Sequence, residues 1–341
     1  MKNKKIIYAL VAVILLFAGL KFFSFSSYNE QDDSKHRDNF NANYKIFSLN
    51  IPKNMNFASE SVPIQNFDVR EKLDRELLVN TYWQSQSILF QKRSKRWFWL
   101  IEPILQKYGI PEDFKYLAII ESGLSNVVSP AGATGFWQIM KPTGKEYGLE
   151  INKEVDERYN VEKSTHAACK YLLEAYNKFG SWTLAAASYN MGMQGLSKQL
   201  KRQKVKSYYN LLLNIETGRY LYRILAVKEI LSTPAKYGFL VREKDKYPAI
   251  ETYNVTVDSS ITDFVDFAYT YKISYKTLKI FNPWLRQAYL KNETGKSYQI
   301  AIPKDTSLVG SISRELFPDS LKNIELDTFI SPSISDSVDF D

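Results

Sequence analysis

Ala118-Ile119-Ile120-Glu121-Ser122-Gly123 closes an apolar stretch that opens at Pro111-Glu112-Asp113 and runs on into Gly132-Ala133-Thr134-Gly135-Phe136-Trp137-Gln138. Proline in a first turn followed by acidic residues is a helix start. Phe114, Leu117, Ala118 and Glu121 then fall at i, i+3, i+4 and i+7, so a helix over 112–122 places the glutamate on its apolar face. A carboxylate there is costly unless it is neutral, paired or used. It also lies in the last turn, where the negative end of the helix dipole disfavours it. Both effects push its pKa up, towards a group that donates a proton at neutral pH. A glutamate rotated to the domain surface, or capped by a neighbour, also fits this helix taken alone.

Outward from this stretch, helical spacing holds from Asp68 to Leu231, with helices predicted at 69–91, 95–108, 112–122, 162–179, 182–191 and 216–231. Gly180 and Gly192 serve as helix stops. The spacing describes one all-α domain. After Thr233-Pro234-Ala235 the pattern changes: Tyr253-Asn254-Val255-Thr256-Val257 alternates like a strand, two short helical stretches follow, and Tyr298-Gln299-Ile300-Ala301-Ile302-Pro303 closes as a second strand. That order predicts a small α+β module of βααβ type at 251–303. The segment 316–341 is acidic and serine-rich, with too little apolar surface to fold alone, and reads as a disordered tail.

At the other end, Met1-Lys2-Asn3-Lys4-Lys5 precedes an uncharged apolar run over 6–20, an export signal. Counted through Phe23, the run is about eighteen residues, just enough to span a bilayer. No clear Ala-x-Ala site follows and no cysteine lies nearby to carry a lipid, which favours a signal anchor over a cleaved signal peptide for 1–23. Residues 24–56 read as a linker that begins as a polar tether to about Asn41, and 42–66, with scattered apolar positions and prolines, read as an extended segment that packs on the next domain.

Composition narrows the class. The 341 residues are 45% hydrophobic and 24% charged, as in a folded protein. Net charge is +8, but the basic residues are dispersed; the densest runs, Lys92-Arg93-Ser94-Lys95-Arg96 and 198–206, read as solvated helix faces. Dispersed basic charge suits an anionic partner such as a membrane surface or a carboxylate-rich wall polymer, and an exported chain has no nucleic acid to meet. The single cysteine, Cys169, sits in an apolar helical pattern as a core residue. With two histidines and one thiol, no structural zinc site and no Ser-His-Asp triad is predicted, and no metal or cofactor is implied.

Three further segments accompany Glu121. The turn at 129–135 must bend sharply and lets backbone approach a ligand, and Phe136-Trp137-Gln138-Ile139-Met140 offers an aromatic face beside an amide. Ala185-Ala186-Ala187-Ser188-Tyr189-Asn190-Met191-Gly192 combines a close-packing run with polar groups at a helix end, and Glu216-Thr217-Gly218-Arg219-Tyr220 opens the last long helix. Each is ordinary alone. In this order and spacing they resemble the lytic transglycosylases of glycoside hydrolase family 23, whose pattern is Glu-Ser, Gly-x-x-Gly-x-x-Gln, Ala-Tyr-Asn-x-Gly, then a tyrosine after Glu-Thr. Ser188 replaces the alanine, and Phe136-Trp137 stands where many members have Leu-Met, a variant that resembles the membrane-bound lytic murein transglycosylase D group.

The resemblance, over about 57–232, implies a mainly α, goose-type-lysozyme-like catalytic domain. It implies that Glu121 is the catalytic acid and base, and that Ser122, Trp137, Gln138, Tyr189, Asn190 and Tyr220 hold the sugar or orient the glutamate, with Tyr220 placed to hydrogen-bond it. The implied substrate is the peptidoglycan glycan strand, cut between N-acetylmuramic acid and N-acetylglucosamine with a 1,6-anhydro product. A two-carboxylate glycosidase needs a second acid near the bond; Asp113 is about two helical turns away, and Asp156 is the distant candidate. A hydrolytic muramidase on the same scaffold and a non-catalytic wall-binding anchor are the alternatives. The 251–303 module resembles a LysM domain, with Leu278-Lys279-Ile280-Phe281-Asn282-Pro283 as its Leu-x-x-x-Asn-Pro segment. Val257-Asp258-Ser259-Ser260 replaces the Gly-Asp that normally follows the opening strand, which leaves open a glycan-binding or a purely structural role.

Overall fold

A computed structural model describes residues 33–35, 37–38, 42 and 46–305. The predicted signal anchor and acidic tail lie outside the described residues, among which no helix is long and apolar enough to cross a membrane. The chain divides into Met1–Asn50 and Ile51–Asp341, and the description below concerns the second unit.

This unit opens with a small hairpin, β1 (Asn56–Phe57) and β2 (Glu60–Ser61), joined by Ala58 and Ser59 at positive φ. Phe57 is fully buried and meets Phe114 edge-on, and Phe114 in turn meets Trp182. The hairpin is therefore part of the domain's packing, as a segment with spaced apolar residues should be. Helices α1 (Phe67–Tyr82) and α2 (Gln84–Lys107) follow. The break at Trp83 departs from the predicted helices at 69–91 and 95–108. No glycine or proline marks it; the Ser87 hydroxyl donates to the Asn80 carbonyl there, and α2 then runs on through Pro103.

After a 3-10 turn at Glu112–Phe114 comes α3 (Lys115–Ser122), then α4 (Lys141–Glu146), α5 (Val161–Phe179), α6 (Trp182–Met191), α7 (Met193–Gln203) and α8 (Ile215–Ser232). Side-chain caps start three of them: Asn160 accepts from Lys163 N, Ser181 from Leu184 N and Asn214 from Thr217 N. Left-handed Gly123 and Gly180 stop α3 and α5. Helix α8 is buried on nearly all sides, the mark of a central helix, and α1, α3 and α6 pack around it. Beside it, buried Glu76 of α1 pairs with Arg219 of α8 at 2.6 Å. Helices α4 and α7 were not anticipated; α4 is short, and α7 carries exposed Lys198 and Lys201 on the solvated face that its basic run suggested.

The C-terminal module pairs β3 (Thr252–Val257) with β4 (Tyr298–Pro303) antiparallel, with α9 (Phe264–Thr270) and α10 (Tyr275–Phe281) between them. Asn282 is fully buried: its amide donates to the Ala301 and Leu278 carbonyls and its oxygen accepts from Ala301 N, stitching α10 to β4. The module's core of Phe264, Ile273, Leu278, Leu285, Ile300 and Ile302 also includes Val155, from a turn of the helical domain. Val155 pairs with Leu285 as an antiparallel bridge, Asp156 N donates to the Trp284 carbonyl and Arg286 N to the Glu154 carbonyl.

Candidate active site

Glu121 sits in the last turn of α3, where helix carbonyls lack partners. Two arginines supply them: Arg223 of α8 donates to the Ile120 carbonyl at 3.0 Å, and Arg93 of α2 donates to the Gly123 carbonyl at 2.9 Å. Positive groups at the negative helix end are favourable. Neither was singled out from sequence; Arg93 belongs to a run that reads as solvated, and nothing local marks its reach to Gly123.

The Tyr220 hydroxyl donates to Glu121 Oε1, and Tyr220 is only 2% exposed. Burial pushes the Glu121 carboxyl up to about 7, against the pull of the Tyr220 hydrogen bond and of the Arg223 charge, while the Glu216 charge adds to the rise. Its own side chain remains half-buried, so a recessed acid still has an open side.

The turn bearing Gln138 is built on two antiparallel bridges, Val128 to Thr134 and Thr134 to Ile139. Gln138 has positive φ, and its amide donates to the Val127 and Gly135 carbonyls at 3.0 and 2.8 Å, which leaves its carbonyl oxygen for a ligand. Ser122 fastens α3 to this turn, its hydroxyl bonding the Phe136 and Ala118 carbonyls. Trp137 differs from the expectation of a sugar contact. Its indole is 0% exposed and donates to Thr165 Oγ1 at 2.8 Å, so it has no face to offer a ligand. Phe136 is buried too, edge-on to Trp97. The rings anchor the turn in the core, and the expected aromatic face is absent from it.

Tyr189 ties α6 to the same turn, its hydroxyl donating to the Trp137 carbonyl at 2.8 Å. Burial, and next the Glu121 charge, hold its phenol well above the usual range, so it stays protonated. Ser188, in place of alanine, fits because its buried hydroxyl returns to the Ala185 carbonyl. Asn190 accepts from Thr217 Oγ1 at 2.7 Å and donates to Glu216 Oε1 at 3.2 Å, pinning the end of α6 to the start of α8. Gln138, Tyr189 and Asn190 together with Met140, Tyr147 and Tyr171 line a cavity of about 200 Å³. Met140 belongs to the same segment as Gln138, whereas Tyr147 and Tyr171 were not singled out from sequence, since only tertiary packing brings them there.

The two other acids weighed from sequence are occupied elsewhere. Asp113 pairs with Lys228 at 2.7 Å and accepts from Ala58 N, and Asp156 pairs with Arg158. Glu216 is the acid whose charge reaches Glu121. Among the described residues no group of three or more His, Cys, Asp or Glu side chains is arranged for a metal ion. The geometry offers one acid poised near neutrality and held by a phenol, with Tyr189 both facing its charge and lining the cavity of Gln138 and Asn190.

The chain is similar in sequence to known lytic transglycosylases. Over 247 residues the chain is 28% identical to the membrane-bound lytic murein transglycosylase D of Escherichia coli K12, covering 70% of this chain and 52% of the relative, with the same figures for the protein of that name from E. coli O6:H1. The chain thus spans about half the length of these curated relatives. A solved structure of an inactive mutant of the lytic transglycosylase Slt from Pseudomonas aeruginosa is 20% identical, with a TM-score of 0.34, covering 44% of this chain and 26% of that one. Residues 100–212 match the transglycosylase SLT domain, and residues 253–306 match the soluble lytic transglycosylase C-terminal LysM-like domain. The chain carries a transglycosylase SLT domain followed by the LysM-like C-terminal domain of the soluble lytic transglycosylases.

Proposed function

We propose that this protein is a peptidoglycan lytic transglycosylase of glycoside hydrolase family 23, with Glu121 as its acid and base. The observation that carries the reading is the Glu121 carboxyl, raised to about 7 and bonded by the Tyr220 hydroxyl. In its neutral form Glu121 gives its proton to the glycosidic oxygen as the bond from C1 of N-acetylmuramic acid breaks, and N-acetylglucosamine leaves with a free 4-hydroxyl. The resulting carboxylate takes the proton of the muramoyl 6-hydroxyl, whose oxygen closes on C1 to give the 1,6-anhydro sugar and returns Glu121 to its acid form. No water is consumed. Gln138, with its open carbonyl, and Asn190 are assigned to the sugar, whereas Tyr220, Ser122 and Tyr189 position the acid and the turn.

The same reading puts the enzyme in the cell envelope, on the extracytoplasmic (periplasmic) side and anchored by 1–23, with glycan strands as its partner and no nucleic acid. A hydrolytic muramidase is the second reading, because the Glu216 charge reaches Glu121 and a second carboxylate could activate water. Mass spectrometry of products from purified sacculi separates the two: anhydro-muropeptides are expected, and reducing ends alone would overturn the transglycosylase. Glu121→Gln is expected to abolish cleavage while leaving sacculus binding intact; cleavage at the wild-type rate would remove Glu121 from the mechanism.

A further inference from the structure

The turn that presents Gln138 rests on a side chain outside the sequence motifs. Arg158 Nη1 donates to the Gly132 carbonyl at 3.0 Å and to the Ile139 carbonyl at 3.2 Å, spanning the turn from one end to the other. Its Nε and Nη2 grip both oxygens of Asp156 at 3.0 and 2.7 Å. Both residues are buried. A planar fork with five donors meets all four acceptors at once, which an ammonium on a flexible stem does not. The approach is closed on the backbone side as well: a Cβ at Gly135 would lie 2.0 Å from the Arg158 carbonyl oxygen, so the turn lies directly on residue 158.

Asp156 is in turn held by the C-terminal module, since its amide donates to the Trp284 carbonyl at 2.9 Å. Around it, Val155 is 1% exposed inside the module's own core. Lys291 N donates to Glu154 Oε2 at 2.7 Å, the Tyr298 hydroxyl donates to Glu150, and Lys296 pairs with Glu150. The Arg286 guanidinium lies 4.0 Å over the Tyr159 ring. A continuous path of hydrogen bonds therefore runs from the Trp284 carbonyl of the module, through Asp156 and Arg158, to both ends of the Gln138 turn.

We propose that the LysM-like module braces the catalytic turn and that Arg158 is the positioning residue that carries this brace. The inference rests on the reading of Glu121 and Gln138 given above. It gives the module a role in turnover that does not depend on gripping glycan.

A double-mutant cycle on the full chain tests it, with kcat and KM measured on a soluble muroglycan oligosaccharide too short to reach the module from the cleft. Arg158→Lys is expected to lower kcat/KM about tenfold when Gln138 is present and by less than about threefold in the Gln138→Ala background, because both changes act on one turn. Val155→Ala and Arg286→Ala, which loosen the seam, are expected to lower turnover of the same short substrate and to show the same non-additivity with Gln138→Ala. Additive losses in both cycles would overturn the brace, as would seam variants impaired on sacculi alone. The seam variants carry the test if Arg158→Lys fails to fold. Glu121→Gln in the same assay separates the two claims: an active Glu121→Gln would remove the underlying mechanism, whereas an inactive one with additive cycles would remove the brace alone.

Discussion

At the scale of the residue, Glu121 ties both rate and stability to pH, and both fall as pH rises. The first step needs the neutral acid, and with the carboxyl raised to about 7 the rate kcat/KM should fall as pH rises through that value. Tyr220 holds the ionised form, so Tyr220→Phe should move the alkaline limb to higher pH while lowering the maximum rate; an unmoved limb would mean that another group sets it. The folded state holds this proton where the unfolded chain, with a glutamate pKa of about 4.3, has already lost it. Stability therefore declines as pH rises from the unfolded value to about 7, and above that the penalty is fully present. Glu121→Gln should stabilise the fold at pH 8 by on the order of 3 kcal/mol and change little at pH 4, as read by urea melts. Glu121 was legible in residue type and helical spacing, whereas Tyr220 was reached only through the family resemblance. Trp137 was not legible, since an indole in a glycine-rich turn reads the same whether it faces a ligand or Thr165 in the core.

At the scale of the element, what fixes the site is how helix ends are finished by distant residues. Helices α5, α6 and α8 and the C-terminal strands follow from spacing and caps in the chain itself. The break at Trp83 and the arginines on the end of α3 do not, because their partners lie on other elements. The start of α6 is the clearest case. Glu60 of the opening hairpin accepts from Ser181 Oγ at 2.8 Å, Trp182 N at 2.6 Å, Thr183 N at 2.9 Å and the Thr183 hydroxyl. A carboxylate that completes a helix N-terminus answers both its free amides and its dipole. Glu60→Ala should thus destabilise the fold by about 2 kcal/mol in urea denaturation, and Glu60→Gln, which keeps an acceptor, should lose less. Equal losses for the two would show that charge alone matters at this end.

At the scale of the molecule, sequence periodicity separates a helical domain from a βααβ module but is silent about the seam between them. Residues 150–158 carry no strand or helix period, and their partners lie more than a hundred positions away, so no local pattern could place Val155 in the module's core. Size makes that placement consequential. A module of about 50 residues buries a marginal core by itself, and here part of that core is borrowed from the helical domain. The module should therefore not melt alone. Calorimetry of the full chain is expected to give one transition with equal calorimetric and van't Hoff enthalpies. Hydrogen exchange should find the Asp156 and Arg286 amides, which bond across the seam, opening with the same free energy as the amides paired between β3 and β4. Val155→Asp, which puts a charge into the shared core, should split the transition and speed exchange at both amides. Two transitions in the unmodified chain would mean that the seam is a contact between independently stable parts.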